Sequence, residues 1–207
     1  MQRAYDQFID SMKYVKELDS LYLYLTDTLH LPNDLTDLLR AEWVYSVSAL
    51  DKLIHDLIRI GMVDAFQGNR TKTRKFLSFG ITMDTHTNIT AISTSGTYLP
   101  PPEYWFEQEI IQKHKLLSFQ EPEKIADGLS LIWEEPHKWQ KIATTLGVPM
   151  GDLTTRLKAI IARRNQIVHE ADHNILTGTR NNIEKSDIDV VVPFMERIAI
   201  EIFDSVK

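Results

Sequence analysis

The sequence has no cysteine, few glycines and prolines, and no long apolar run. Without cysteine there is no disulfide, thiol nucleophile or thiolate metal ligand, so any metal site would need His, Asp or Glu. The 8 Gly and 8 Pro in 207 residues exclude a collagen-like or low-complexity chain. No stretch approaches the ~18 apolar residues of a membrane span, and the first ten residues lack the apolar core of a secretion signal. We therefore expect a soluble cytoplasmic protein with no membrane partner.

The composition is that of one globular domain with a local excess of basic residues. The chain is 43% hydrophobic, which is enough to bury a core, and its length fits a single domain over 1–207. A net charge of −6 argues against general coating of nucleic acid. However, residues 137–164 carry six bases and one acid, and 70–75 carry four bases and no acid. Two such runs favour a phosphate-binding surface, with Arg156, Lys158 and Arg163 as candidate RNA contacts, although one run alone is more often a solvated helix face.

Apolar residues recur at spacings of three and four along most of the chain, as in amphipathic helices. The pattern predicts helices over 3–29, from 33 or 34 to about 61, and over 73–79, 103–119, 122–133, 137–146 and 152–169. A final helix begins near 186 or 187, although Pro193 suggests that its regular part starts one turn later. The Thr- and Ser-rich stretch 80–102 predicts a long loop, with a weak hairpin around 89–92. The fold class is all-α, a helical bundle with this loop insertion at about 80–102.

The densest polar cluster in an apolar setting lies near the end of the helix over 152–169. Arg164 continues the apolar stripe of that helix, where a guanidinium is expensive to bury unless an anion or another chain completes it. Asn165 and His169 are four residues apart and share the adjacent face. A permanent cation, an amide and an imidazole are thus presented together at one helix end.

This set of side chains suits RNA cleavage without a metal. A histidine, with an ordinary pKa of about 6.5, can take the proton of a 2′-hydroxyl or donate one to the leaving 5′ oxygen. An arginine can hold the phosphate and stabilise the charge that develops on it. Since RNA carries its own 2′-hydroxyl nucleophile, no metal-bound water is needed.

Two patches of the sequence resemble the HEPN family. Residues 164–169, Arg-Asn-Gln-Ile-Val-His, match the R-x₄₋₆-H signature of HEPN domains, with a polar residue directly after the arginine. Residues 38–56 look like the early helix of the RiboL-PSP-type branch, in which a Ser-Ala-Leu-Asp stretch is followed by His-Asp. Together the patches extend the resemblance over most of the chain, although 80–102 has no counterpart in it.

The resemblance implies a helical bundle that dimerises and joins two Arg/His motifs in one cleft. It implies a cofactor-free endoribonuclease that leaves a 2′,3′-cyclic phosphate and a 5′-hydroxyl. Such proteins serve as toxins or as effectors of phage defence, with an antitoxin or another regulatory partner. By position, Arg164 and His169 are the expected catalytic residues and Asn165 supports them. Asp51 falls where the early helix of the family often presents a polar group toward the site.

Two alternative functions stay open at this point. His169-Glu170-x-x-His173 matches the zinc-protease pattern H-E-x-x-H, although Asp172 is charged where such a helix is normally apolar and no third histidine follows closely. The chain could also be a dimeric binding module without catalysis, since a fold does not determine an activity. In that case Arg164 and His169 would only complement the negative end of the helix dipole.

Overall fold

The structure, a computed structural model, describes residues 1–95, 100–174 and 176–207, with the backbone alone over 92–95. Within these ranges the chain forms nine α-helices and one π-helical turn, and no named strand. The helices are α1 (Gln2–Leu23), α2 (Thr36–Phe66), α3 (Arg74–Leu77), α4 (Met83–Ser95), α5 (Pro102–His114), α6 (Pro122–Leu129), α7 (Lys138–Leu146), α8 (Met150–His169) and α9 (Lys185–Val206), and the π-helical turn Tyr24–Thr28 extends α1. The predicted all-α class is therefore confirmed.

The long helix α2 is the centre of the bundle. It packs against α1, α5, α6, α8 and α9, and Leu50, Ile54 and Ile58 along it are almost completely buried. The prediction that this helix ends near Gly61 is wrong, because the helix continues to Phe66. Gly61 marks close packing instead: a Cβ there would lie 2.8 Å from Cγ2 of Ile132.

The predicted loop and hairpin in 80–102 are also wrong over most of that stretch, because residues Met83–Ser95 form α4. Threonine hydroxyl groups in the segment donate to backbone carbonyls of the same helix; for example, Thr87 donates to the carbonyl of Met83 at 2.8 Å. The buried carboxylate of Glu109 on α5 accepts hydrogen bonds from Thr82 and Thr85 at the start of α4. Glu109 thus accepts from the N–H and hydroxyl donors at the start of α4, and no local sequence pattern indicates this distant partner. Residues 96–99 of the predicted loop lie outside the described residues.

Helices α8 and α9 place the polar cluster. Leu153, Leu157 and Ile160 bury one face of α8, and the indole of Trp43 on α2 donates to the carbonyl of Ile160 at 3.0 Å. The α9 helix is regular from Lys185, with Pro193 inside it, so the expectation that its regular part starts one turn later than 186 or 187 is wrong. None of the described helices is both long enough and apolar enough to cross a membrane.

Candidate functional site at the end of helix α8

Arg164 lies on the core-facing stripe of α8, one turn after Ile160, and is half-buried. Its Nη1 donates to Oδ1 of Asn165 at 3.2 Å, which is a contact between neighbours in sequence. Its Nε is shielded from solvent and has no acceptor within the described structure. A buried guanidinium N–H without an acceptor is energetically unfavourable, so an acceptor placed beside Nε would stabilise Arg164.

Asn165 and His169 occupy the neighbouring face of the same helix. His169 is the last helical residue and is exposed, while Asn165 is half-buried beside Arg164. At 1.5 Å per residue the two side chains start about 6 Å apart along the helix axis. Lys158 falls on the same face two turns earlier, where it is exposed and 2.5 Å from the carboxylate of Glu123. Arg164, Asn165 and His169 therefore lie within the last six residues of α8, with Lys158 further back along the helix.

An ion-pair network holds the chain that leaves α8, and we call Arg40, Arg163, Asp172 and Asn181 the clamp. The carboxylate of Asp172 has no exposed surface and accepts from Nε of Arg40 at 2.7 Å and from Nη2 of Arg163 at 2.9 Å. Arg40 also donates to the backbone carbonyl of Asn181 at 2.8 Å, and the Asn181 side chain donates to the Asp172 carbonyl at 3.0 Å. The clamp thus ties α2, the end of α8 and the segment before α9 together.

The candidate RNA contacts Arg163 and Arg156 lie on the other side of α8. Arg163 belongs to the clamp, and its Nη2 also donates to the carbonyl of Asn182 at 2.9 Å. Arg156 donates to the carbonyl of Val190 at 3.1 Å and stacks on the ring of Phe194, with 4.3 Å from its Cζ to the centroid. Both guanidinium groups therefore help to dock neighbouring segments, and their contact with RNA stays a prediction.

Asp51 lies apart from this helix end. Its carboxylate accepts from the backbone N–H of Phe119 at 2.6 Å and from Nε2 of Gln120 at 3.0 Å. It follows Arg40 by eleven residues, which corresponds to roughly 16 Å along α2. The structure gives Asp51 a role in holding the segment after α5 and does not bring it to Arg164. Its part in RNA binding is not supported by this placement.

The geometry that the zinc-protease pattern requires is not present. The α8 helix ends at His169, and Ala171 and Asp172 then adopt left-handed backbone angles with φ of 49° and 62°. His173 therefore does not lie one helical turn after His169, and Asp172 is used by the clamp. In the described part of the chain, no group of three or more His, Asp or Glu side chains is placed to hold a metal ion.

Arg40 and Asp172 are structural residues that the sequence analysis missed. Arg40 had a signal: it interrupts an apolar stripe of α2 that includes Trp43 and Val47, so it faces the interior. Its partner Asp172 lies 132 residues away, and no local spacing links the two.

Comparison with known families agrees with this architecture. The sequence model of the RiboL-PSP-HEPN family matches residues 10–207. The chain belongs to the RiboL-PSP-HEPN family. No curated protein and no solved structure matches it. HEPN domains are commonly ribonucleases, so membership links this chain to RNA-related chemistry.

Proposed function

We propose that this RiboL-PSP-HEPN protein is a metal-independent endoribonuclease whose active site is the C-terminal end of α8, residues 164–169. The observation that carries the proposal is the half-buried Arg164, whose Nε has no acceptor among the described residues, next to Asn165 and five residues before an exposed His169. An RNA phosphate is the anion that this guanidinium fits, since a planar fork can donate to two phosphate oxygens at once.

The chemistry follows from these three side chains. One His169 imidazole accepts the proton of a 2′-hydroxyl while the 2′ oxygen attacks phosphorus. Arg164 holds the phosphate and stabilises its growing negative charge, and Asn165 orients the guanidinium. The bond from phosphorus to the 5′ oxygen breaks, and that oxygen takes a proton from a second imidazole. The products are a 2′,3′-cyclic phosphate and a 5′-hydroxyl.

The second imidazole is the reason to propose a homodimer. Each chain contributes one His169 at the end of α8, so a dimer joining two such ends supplies both a proton acceptor and a proton donor. The core-facing stripe of α8 also runs on beyond the bundle, since Val168 is 45% exposed after Arg164. A second copy packed there would cover Val168 and complete the surroundings of Arg164.

The decisive experiment compares His169→Ala with His173→Ala. The two histidines are four residues apart and both exposed, which makes His173→Ala a matched control. We expect purified parent protein to cut a mixed RNA in the presence of EDTA and to leave cyclic phosphate ends. His169→Ala should lower the rate by roughly 10²–10⁴-fold, while His173→Ala should cut like the parent.

Each other outcome selects a different function. Equal loss in both variants, together with loss in EDTA, would show a metal-dependent activity and overturn the proposal. RNA binding without cleavage by the parent would favour the non-catalytic dimeric module. Sedimentation of the parent as a monomer at assay concentration would contradict the composite site.

The cellular role that fits this activity is that of a toxin or an anti-phage effector restrained by a partner. Expression of the parent in a bacterial host should then stop growth with RNA fragmentation, whereas expression of His169→Ala should not. Growth arrest by both proteins would contradict a toxicity that depends on cleavage.

A further inference from the structure

A second buried ionisable side chain without a hydrogen-bond partner in the described residues lies away from the α8 site, in a pocket lined by α1, α2 and α9. We call it the Glu42 pocket. Its volume is about 170 Å³, and it combines apolar walls with charged groups. Val15, Ile188 and Val192 supply apolar surface, and Glu42 lines the pocket from α2.

Glu42 is completely buried, and neither oxygen of its carboxyl group has a hydrogen-bond partner within the described structure. An ionised carboxylate in this condition is very unfavourable unless a cation or a donor joins it. The carboxyl group is therefore stabilised either by keeping its proton or by a cation or a hydrogen-bond donor that joins it.

The lysines of the pocket are already engaged by other acids. Lys185 Nζ lies 2.9 Å from Oδ1 of Asp19 and also pairs with Asp189. Lys16, at the rim, lies 2.7 Å from Oε1 of Glu196. The lining thus holds four acids and two lysines, and Glu42 is the acid left without a partner.

The α9 wall adds acceptors rather than donors. Pro193 lies inside α9 and lines the pocket, and it has no N–H to donate to the carbonyl of Asp189 one turn earlier. A pocket rich in acceptors, poor in free donors and walled by aliphatic side chains matches a cation that carries its own N–H groups and a short hydrocarbon chain.

We propose that the Glu42 pocket binds a small organic cation with a primary ammonium group, which donates to Glu42 and Asp19 while its methylene groups contact Val15, Ile188 and Val192. A bare metal ion fits less well, because among the described residues no three His, Asp or Glu are placed to hold one. A compact ammonium with three donors suits the small volume better than a broad guanidinium plane. The site is independent of RNA cleavage.

Below about pH 8, the Glu42 carboxyl of the free protein holds a proton where the ligand would bind. Burial raises the pKa of Glu42 to about 8, with Asp19 and Asp189 adding to the rise and Lys185 opposing it. An ammonium group should displace this proton, because it forms an ion pair only with the ionised carboxylate. Binding should therefore tighten by about tenfold from pH 7 to pH 9, as the ionised fraction of Glu42 grows. An alkylammonium stays charged over this range, as lysine does.

The test is a titration of the full chain with n-butylamine, followed by NMR of the methyl groups of Val15, Ile188 and Val192. We expect saturable shifts with a dissociation constant of ~0.1–10 mM at pH 9, in line with a five-atom ligand. Neutral n-butanol should leave these methyl signals in place. Glu42→Gln should weaken binding at least tenfold and remove its pH dependence, while Glu121→Gln, the same change at an exposed position, should bind like the parent.

Three results would overturn the proposal. These are unchanged methyl signals at ~100 mM amine, equal binding of butanol and butylamine, and equal affinity of the parent at pH 7 and pH 9. If Glu42→Gln fails to fold, Asp19→Asn replaces it and should weaken the amine several-fold. The pH dependence of the parent needs no variant, and none of these measurements requires the protein to cut RNA.

Discussion

Arg163 and Arg164 are neighbours in the sequence, yet their guanidinium groups have opposite surroundings. Arg163 donates to the buried carboxylate of Asp172 and to a backbone carbonyl, each at 2.9 Å. Arg164 donates only to the adjacent Asn165 in the described structure, and its Nε is buried without an acceptor. A charged side chain whose hydrogen bonds are satisfied within the protein stabilises the fold, whereas one with an unsatisfied buried group is available to a ligand.

The same contrast separates two buried carboxyl groups. Asp172 and Glu42 both have no exposed surface, but Asp172 accepts from two arginines while Glu42 accepts from nothing in the described residues. The buried carboxylate of the clamp is therefore satisfied by side chains of the protein itself. Arg164 at the end of α8 and Glu42 in its pocket each have a buried polar atom without a partner in the described residues, which is why both carry our proposals.

The largest expected effect comes from removing the charge at the centre of the clamp. Asp172→Asn leaves Arg40 and Arg163 without their shared anion, and asparagine tolerates the left-handed backbone at this position. We expect the free energy of unfolding to fall by about 3–5 kcal/mol, measured by urea denaturation at pH 7.

Asp204→Asn is the matched control for this prediction. Asp204 forms an exposed ion pair with Lys207, so the same substitution there should lower the free energy of unfolding by less than about 1 kcal/mol. Equal effects at the two positions would show that the clamp adds no stability beyond an ordinary surface pair.

The next largest effect is on catalysis and concerns the other arginine. Arg164→Ala should lower RNA cleavage by roughly 10²–10³-fold, the usual loss when one group that stabilises transition-state charge is removed. Its free energy of unfolding should change little, since Arg164 makes no ion pair in the described structure. Arg163→Ala should do the reverse, with lower stability and a cleavage rate within about tenfold of the parent.

The two variants are compared under conditions where both remain folded by circular dichroism. A similar loss of cleavage in both would mean that the two arginines act as one unit. Loss of stability in Arg164→Ala alone would assign Arg164 to the fold and remove the observation on which the nuclease proposal rests.

A third effect is a pH-dependent change in stability at Glu42. The pKa of this carboxyl is raised by burial from 4.5 to about 8, so folding takes up a proton between these pH values. The contribution of Glu42 to the free energy of unfolding therefore falls as the pH rises from about 4.5 to 8 and then levels off. Glu42→Gln should match the parent at pH 5 and be more stable by about 1–3 kcal/mol at pH 9.

The charged groups that face Glu42 are the same in both proteins, so the difference between the two curves isolates this carboxyl. These groups are Lys16, Asp19, Lys185, Asp189 and Glu196. Parallel curves from pH 5 to pH 9 would contradict the raised pKa and show that Glu42 is ionised and paired throughout.

The sequence predicts those parts of the fold that depend on local periodicity. The end of α8 at His169 and the continuation of its core-facing stripe to Arg164 follow from spacings of three and four residues. The α4 helix could not be predicted in this way, because Thr and Ser disfavour helix interiors and the Glu109 cap lies more than twenty residues away.

Partners far apart in the sequence account for the other gaps. Resemblance alone places Asp51 at the site, whereas its bonds to Phe119 and Gln120 depend on the path of a distant segment. Glu42 gave no signal beyond an acid in an apolar helix. That Glu42 is buried without a partner in the described residues depends on how α1 and α9 pack against α2, which no local pattern indicates.

The smallest effect tests whether Asn165 supports Arg164. Its Oδ1 accepts from Arg164 Nη1 at 3.2 Å, a long contact at a half-buried site. A single hydrogen bond of this kind contributes about 0.5–1.5 kcal/mol, so Asn165→Ala should lower RNA cleavage by about 3–10-fold. Cleavage of one fluorogenic RNA under single-turnover conditions measures the rate of the chemical step.

Gln166→Ala is the control, because Gln166 is the next residue, carries the same amide and is exposed. It should cut at the rate of the parent. In the double variant Arg164→Ala with Asn165→Ala, the second substitution should add almost nothing, since Asn165 acts through Arg164. Additive losses would instead place Asn165 in direct contact with the RNA, and the last turn of α8 would then present two independent phosphate or base contacts rather than one supported arginine.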